Sequence, residues 1–267
     1  MSPVAGRVTV VGLGPAGPDL VTAAALDAIA RIDVRFVRTT RHPAASVAGK
    51  ATSFDDVYES ASSMDEVYST IVDRLVVAAA THGEVLYAVP GSPAVAERTV
   101  QLLLAHDGVQ VGVVAALSFL DLAWTRLGVD PFAEGVRVID GHRFAVEAAG
   151  QRGPLLVGQC DSRAVLSGIK LAFENVAPST VVVLQRLGLP DESIVAVPWH
   201  ELDRVVEPDH LTSLWIPTFE AAVASELVTF VEVVRRLREE CPWDREQTHS
   251  SLTKYVLEEA YEVVDAI

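Results

Sequence analysis

Cysteine is scarce in this 267-residue sequence. Cys160 and Cys241 stand alone, too few for a disulfide framework or a cysteine-based metal site. The expectation is two reduced thiols in a cytoplasmic protein. Basic residues are the minority charge, 21 Lys and Arg against 36 Asp and Glu, for a net charge of −15. No cluster of them stands out, which argues against a broad nucleic-acid or anionic-membrane footprint. A nucleotide remains compatible, because metal ions bridge carboxylates and phosphates. No apolar run reaches the roughly 18–20 residues of a membrane span. The N-terminus enters a strand-like run without the basic and apolar regions of a secretion signal. Tandem repeats and low-complexity linkers are also missing. Half of the residues are hydrophobic, enough for a large core in two domains or in one domain with an appendage.

The β-branched run Val8-Thr9-Val10-Val11 leads into Gly12-Leu13-Gly14-Pro15-Ala16-Gly17-Pro18-Asp19-Leu20. An apolar stripe follows at Leu20, Val21, Ala24, Ala25, Ala28 and Ile29. This pattern reads as strand, glycine-rich turn, helix, with backbone donors left open to a ligand. Pro18 suits a first helical turn. Further strands are expected at Val34–Arg38, Glu84–Val89 and Val109–Ala115, with helices over Asp65–Ala80 and Ala94–Ala105. Such alternation predicts a parallel sheet covered by helices. Two later junctions repeat the first: Pro90-Gly91-Ser92-Pro93 and Ala116-Leu117-Ser118-Phe119. Three such strand ends together predict a ligand crevice at the carboxyl edge of the sheet.

Gly12-x-Gly14-x-x-Gly17 also spells the dinucleotide fingerprint. The acidic residue expected after the second strand is replaced by Val37-Arg38-Thr39-Thr40-Arg41, whose arginines would suit a 2′-phosphate. An NADP-binding Rossmann-type domain is therefore an alternative. No general base stands out; His42, His82 and His142 are candidates by residue type alone.

Past Phe119–Leu127, a helix, strands are expected at Val136–Asp140, Pro154–Gln159, Thr180–Leu184, Ile194–Pro198 and Leu214–Ile216, with a helix over Ser162–Asn175. The shorter, mixed spacing predicts a second α/β lobe with a partly antiparallel sheet. From Phe219 onward the pattern is helical, Glu220–Glu240 and then Thr248 or His249 to Ile267, broken at Cys241-Pro242-Trp243-Asp244.

The Val-Gly-Leu-Gly-Pro, Val-Pro-Gly-Ser-Pro and Leu-Ser-Phe-Leu junctions, with Leu155-Leu156-Val157 and Asp209-His210-Leu211-Thr212-Ser213-Leu214, resemble the tetrapyrrole (corrin/porphyrin) methylases over about residues 8–217. The resemblance implies a two-lobed α/β fold, a mostly parallel sheet in the first lobe and a mixed one in the second. It divides the chain into a domain over 1–217, with lobes about 1–149 and 150–217, and a helical part over 218–267. It implies S-adenosylmethionine in the cleft, a small-molecule methyl acceptor and a homodimer. Carried over residue by residue, Pro15 flanks the cleft. Pro90, Gly91 and Ser92 line the methionine end, with Val95 nearby. Ser118 and Phe119 meet the ribose and adenine, and Cys160 and Leu187 make further contacts. The family's Gly-Pro-Gly-Asp and Gly-Asp-Pro turns have lost their aspartates here, to Gly17 and Ser92. A non-catalytic, ligand-sensing scaffold with an oligomerising tail is accordingly the other alternative.

On a helix, Glu258, Glu262 and Asp265 share one face, and Glu259 and Glu262 lie one turn apart. With the preceding Cys-Pro-Trp-Asp…Glu-Gln-Thr-His, this Glu-Glu-x-x-Glu resembles the start of a MazG-type nucleoside triphosphate pyrophosphohydrolase. That family converts a triphosphate to monophosphate and pyrophosphate with Mg²⁺. The resemblance makes Glu259 and Glu262 metal ligands and gives Glu258 a catalytic role in a completed site. The helix that supplies the family's second Glu-x-x-Asp pair has no counterpart here. The expectation is a truncated or remnant domain with an apolar stripe, inactive by itself.

Overall fold

The computed structural model describes residues 6–173, 178–219 and 223–267. The opening β-branched run forms β1 (Arg7–Gly12), buried at every residue after the first. It is buried because it has strands on both edges and helices on both faces, the environment that favours continuous apolar runs. β1 pairs in parallel with β4 (Glu84–Val89) and β5 (Gln110–Val114). β2 (Arg35–Val37) and β3 (Thr52–Ser53) continue the parallel ladder beyond β4, giving the order β3-β2-β4-β1-β5.

The helices follow from local sequence. Thr22 caps α1 (Ala23–Arg31) by accepting from the Ala25 amide at 3.3 Å. After the short α2 (Asp55–Ser60), α3 (Met64–His82) starts at Ser63, which accepts from the Glu66 amide, and stops at Gly83. Its Val67, Ile71 and Leu75 recur every four residues and are buried with Val8 and Val10 on one side of the sheet, beside Leu103 of α4 (Arg98–Leu104). Val11, Leu86 and Ala88 face the opposite side, against Ala25, Ala28 and Ile29 of α1. The alternation along β1 is what builds the three layers.

The helix expected from Ala94 begins only at Arg98. Ala96 interrupts it with a left-handed φ of 52°.

The second sheet has the order β6-β7-β10-β8-β9. It comprises β6 (Arg137–Asp140), β7 (Leu155–Gly158), β8 (Thr180–Gln185), β9 (Ser193–Pro198) and β10 (Thr212–Ile216). Only β6 and β7 are parallel; the other pairs are antiparallel. β6 belongs to this sheet because its four residues pair with Leu155–Gly158. The change of sheet therefore falls before Arg137 rather than at residue 150. One face packs on α6 (Phe144–Glu147), α7 (Arg163–Ala172) and α8 (Leu202–Val205) through Phe144, Leu166, Ile169 and Leu202. The other, with Leu156, Leu184 and Trp215, packs on Ala123, Trp124 and Leu127 of α5 (Phe119–Leu127). α5 thus connects the two lobes while lying on the second.

The tail consists of α9 (Val223–Glu240), α10 (Pro242–Glu246) and α11 (His249–Ala266). The Cys-Pro-Trp-Asp break forms the short α10, and Thr248 and Ser251 cap α11 reciprocally. Trp243 meets the edge of Tyr255 at 5.9 Å and so braces the hairpin. None of the described residues from 230 onward is buried, and Val256, Val263 and Val264 stay open to solvent. Residues 174–177 and 220–222 lie outside the described residues, and with them the end of the helix expected to Asn175 and the start of the one expected from Glu220. Among the described residues, no helix is long and apolar enough to cross a membrane.

Phe144 meets Phe173 at 5.9 Å and Phe219 at 6.0 Å, edge to face. Phe144→Ala removes the centre of this buried group and is expected to cost about 3–5 kcal/mol, measured as a shift in the urea unfolding midpoint.

Candidate functional site

The three strand-end junctions, two of them built on glycine and proline and the third on small residues, meet at one point. A Cβ on Gly12 would lie 2.3 Å from the Gly91 carbonyl oxygen, 2.5 Å from the Ala116 Cβ and 2.8 Å from the Pro93 Cδ. Only glycine allows the three strand ends to close together there. The first two turns are also tied directly. The Gly91 amide donates to the Gly14 carbonyl at 2.8 Å, and the Gly14 amide donates back to Gly91 at 3.2 Å. Both glycines adopt left-handed φ, 74° and 64°. The space where a Gly91 side chain would stand is empty within 4 Å.

The candidate residues fall around this point. Pro15 and Pro90 are half-buried on the first and second turns, and Ser92 is buried. The Ser92 Oγ accepts from the Ala94 amide and its carbonyl from the Val95 amide, which folds the turn back on itself. Ser118 caps α5: its hydroxyl accepts from the Leu120 amide at 3.2 Å and donates to Asp121, which also accepts the Ser118 amide at 2.7 Å. The hydroxyl is thus spent on the helix start, and what Ser118 offers the cleft is position. Phe119, half-buried, brings its ring tip to 3.3 Å from where a Gly158 Cβ would stand, at the end of β7.

The second lobe closes the far wall. A Cβ on Gly188 would lie 2.9 Å from the Ala16 Cβ and 2.9 Å from the Leu122 Cδ1, so the loop after β8 rests on the first turn. Cys160 and Leu187 follow β7 and β8, both buried. Burial, reinforced by Asp161 and Asp140, pushes the Cys160 thiol far up, so it is inert, and its side chain packs in the core with Leu166 and Leu214. Among the described residues, three non-glycine residues have left-handed φ: Ala96, Gln159 and Arg186. Each is the immediate neighbour of a candidate contact, Val95, Cys160 or Leu187. Backbone strain gathered at a cleft is a mark of a built site.

The dinucleotide alternative is corrected. A dinucleotide fingerprint needs its helix to open at the third glycine. Here Pro18–Leu20 forms a separate helical turn and α1 starts at Ala23. Nor is Arg38 free for a phosphate: it donates to Glu97 at 2.6 Å and to the Tyr58 hydroxyl at 2.7 Å. Glu258, Glu259 and Glu262 are exposed on α11. Among the described residues, no three His, Cys, Asp or Glu side chains are placed to share a metal ion, so the residues present do not complete a Mg²⁺ site. His142 lies 3.0 Å from Asp161, half-exposed at the end of β6.

His42 escaped sequence reasoning as a structural part of the site. Its Nδ1 accepts from the Ala44 amide at 3.2 Å. Burial lowers its pKa, a hydrogen bond with the Gly14 backbone opposing. Nothing in the sequence distinguishes it from His82.

Two lobes, a parallel and a mixed sheet, with strand-end turns closing a cleft between them, define the architecture of a methyltransferase class. A family model described as Tetrapyrrole (Corrin/Porphyrin) Methylases matches residues 7–203, and the chain belongs to that family. It is 38% identical over 277 residues to the uncharacterized protein YabN of Bacillus subtilis (strain 168), covering 99% of this chain and 56% of YabN. The chain thus spans little more than half of that relative. A 42-residue stretch, 16% of the chain, is 52% identical to the nucleoside triphosphate pyrophosphohydrolase/pyrophosphatase MazG of Thermotoga maritima, of which it covers 16%. The fold is shared with uroporphyrin-III-C-methyltransferase from Thermus thermophilus, with TM-score 0.61 and 21% identity over 92% of this chain and 99% of that one. A structure of uroporphyrin-III C-methyltransferase from the same organism, complexed with S-adenosyl homocysteine, matches with TM-score 0.58 and 20% identity over 79% of this chain and 96% of that one.

The depressed His42 pKa sets a sign for pH. The folded state binds its proton less readily than the unfolded chain, so its contribution is complete above the ordinary value of about 6.5 and lost as pH falls below it. His42→Gln is expected to flatten the decline of the melting temperature between about pH 6.5 and 5, read by thermal melts across that range.

Proposed function

We propose that residues 1–217 bind S-adenosylmethionine in the cleft and transfer its methyl group to a small-molecule acceptor. The observation that supports this most is the convergence of three strand-end turns at Gly12 with the Gly14–Gly91 backbone bridge between them. It leaves a cradle of open backbone beside an empty space at Gly91, roofed by the second lobe through Phe119 and Gly188. The residues fit the ligand in kind. Pro90, Gly91 and Ser92 with Val95 would border its amino-acid end, Pro15 would stand where donor and acceptor meet, and the Phe119 ring would lie against the adenine with Ser118 holding that helix start. Cys160 and Leu187 would enclose it from the second lobe.

The bound sulfonium supplies an activated methyl carbon: the acceptor's lone pair forms the new bond, the sulfur keeps the electrons of the broken one, and the acceptor's proton leaves to solvent. What this chain contributes is alignment and exclusion of water. The cleft turns carry no carboxylate at Gly17 or Ser92, so acceptor recognition differs from that implied by the family's two aspartates.

The tail is read as the first part of a MazG-type pyrophosphohydrolase. The support is the short, strong identity to such enzymes and the Glu258, Glu259, Glu262 pattern on α11. Hydrolysis of nucleoside triphosphates with Mg²⁺ is assigned to a longer protein. Residues 1–267 alone are expected to release no pyrophosphate, tested with the common nucleoside triphosphates in the presence of Mg²⁺. A homodimer is the proposed assembly, read by sedimentation.

Titration calorimetry of the chain with S-adenosylmethionine and S-adenosylhomocysteine tests the first reading. Micromolar binding is expected, and Phe119→Ala is expected to weaken it about tenfold, the equivalent of about 1.4 kcal/mol. No heat at millimolar ligand would overturn the reading. Binding without transfer to any acceptor would instead favour the ligand-sensing scaffold.

A further inference from the structure

Beneath the second turn lies a buried polar group that the proposed reaction does not use. Glu97 follows the turn directly and occupies the N-cap position of α4, yet its side chain makes no cap hydrogen bond. It points inward instead: Oε2 accepts from the Arg38 guanidinium at 2.6 Å, and the carboxylate is 2% exposed. Oε1, the Tyr87 hydroxyl and the Thr99 hydroxyl have no hydrogen-bond partner of normal geometry among the described residues. Arg38 is therefore the partner on which a buried carboxylate depends, and such a group is costly to leave alone. Arg38 is itself fixed twice more. Its amide donates to Ala88 of β4 at 2.9 Å, and its Nε donates to Tyr58 of α2.

The path of the chain gives this pair its meaning. β4 ends at Val89, the turn runs out through Pro90–Ala96, and Glu97 brings it back to Arg38, held against the strand from which the turn departed. The ion pair closes the excursion like a buckle. Ala96, next to Glu97, sits at φ 52°, an unfavourable conformation for a side-chain-bearing residue. Such a conformation persists only where its surroundings enforce it.

We propose that Arg38 and Glu97 are positioning residues for the ligand cleft: their ion pair holds the Pro90–Ala96 turn in the shape that receives the amino-acid end of S-adenosylmethionine. This role rests on the donor-binding reading above; the buckle itself is a property of the fold. Burial raises the Glu97 pKa, with the facing guanidinium and then the Thr99 amide and hydroxyl pulling it only partly back.

The test compares the wild-type chain with Glu97→Gln and with Ala96→Gly/Glu97→Gln. Amide hydrogen exchange is read by peptide, and affinity is read with S-adenosylhomocysteine and with 5′-methylthioadenosine, which lacks the amino-acid end. Glu97→Gln is expected to speed exchange over residues 90–96 about tenfold while peptides from α3 and α7 stay unchanged. It is expected to weaken S-adenosylhomocysteine about tenfold and to leave 5′-methylthioadenosine unaffected. Ala96→Gly relieves the left-handed strain and is expected to recover about threefold of the loss in the double variant. If Glu97→Gln does not fold, Arg38→Lys takes its place, keeping the charge with fewer bonds and giving the same local signature.

Unchanged exchange in the turn overturns the buckle, and so does an increase spread evenly over the first lobe. Faster exchange with unaltered S-adenosylhomocysteine affinity overturns the positioning role, as does equal weakening of both ligands. Wild-type protein that binds neither ligand overturns the donor-binding reading and the positioning role with it, while the exchange result still decides the buckle.

Discussion

Everything at the cleft depends on the absence of one methyl group. Because Gly12 has no Cβ, the ends of β1, β4 and β5 come together tightly enough for Gly14 and Gly91 to exchange backbone hydrogen bonds. The same approach fixes where the Pro93 ring and Ala116 sit, and so where α5 begins three residues further on. From there α5 carries the geometry into the second lobe, with its apolar face on Leu156, Leu184 and Trp215. A side chain at Gly12 would push apart the three turns that define the cleft, and through α5 the lobe that roofs it.

The architecture was legible where periodicity and burial agree. Phe119–Leu127 was read to its observed limits, because a capping serine opens that helix and Gly128 closes it in a left-handed conformation. The four-residue spacing of Val67, Ile71 and Leu75 located α3. The sheet membership of Arg137–Asp140 was not legible, since a four-residue strand carries no record of which neighbour it pairs with. The delayed start of α4 was hidden for another reason. Ala96 is a good helix former on its own, and only the tertiary bond between Arg38 and Glu97 explains why the chain there is not helical.

Legibility of the site divides along the same line. The turns announced themselves through glycine and proline, residues whose backbone constraints are local. The buried Arg38–Glu97 pair joins residues 59 positions apart, and His42 reaches the Gly14 backbone of the first turn across a gap about half as long. Contacts of that kind have no signature in a single sequence. The tail shows the opposite case. Its acidic pattern was plain, but among the described residues no three His, Cys, Asp or Glu side chains converge, on that exposed helix or elsewhere, to share a metal ion.

The strand order has a consequence for synthesis at the ribosome. β1 is the middle of its sheet, yet its partners are Glu84–Val89 and Gln110–Val114. β1 therefore leaves the exit tunnel well before either partner and waits, unpaired and rich in valine, until β4 has been made. Closing a parallel pair over so long a separation is slow. Through that interval the nascent chain carries an apolar segment that has no native strand partner, a natural target for a chaperone that grips short extended hydrophobic peptides.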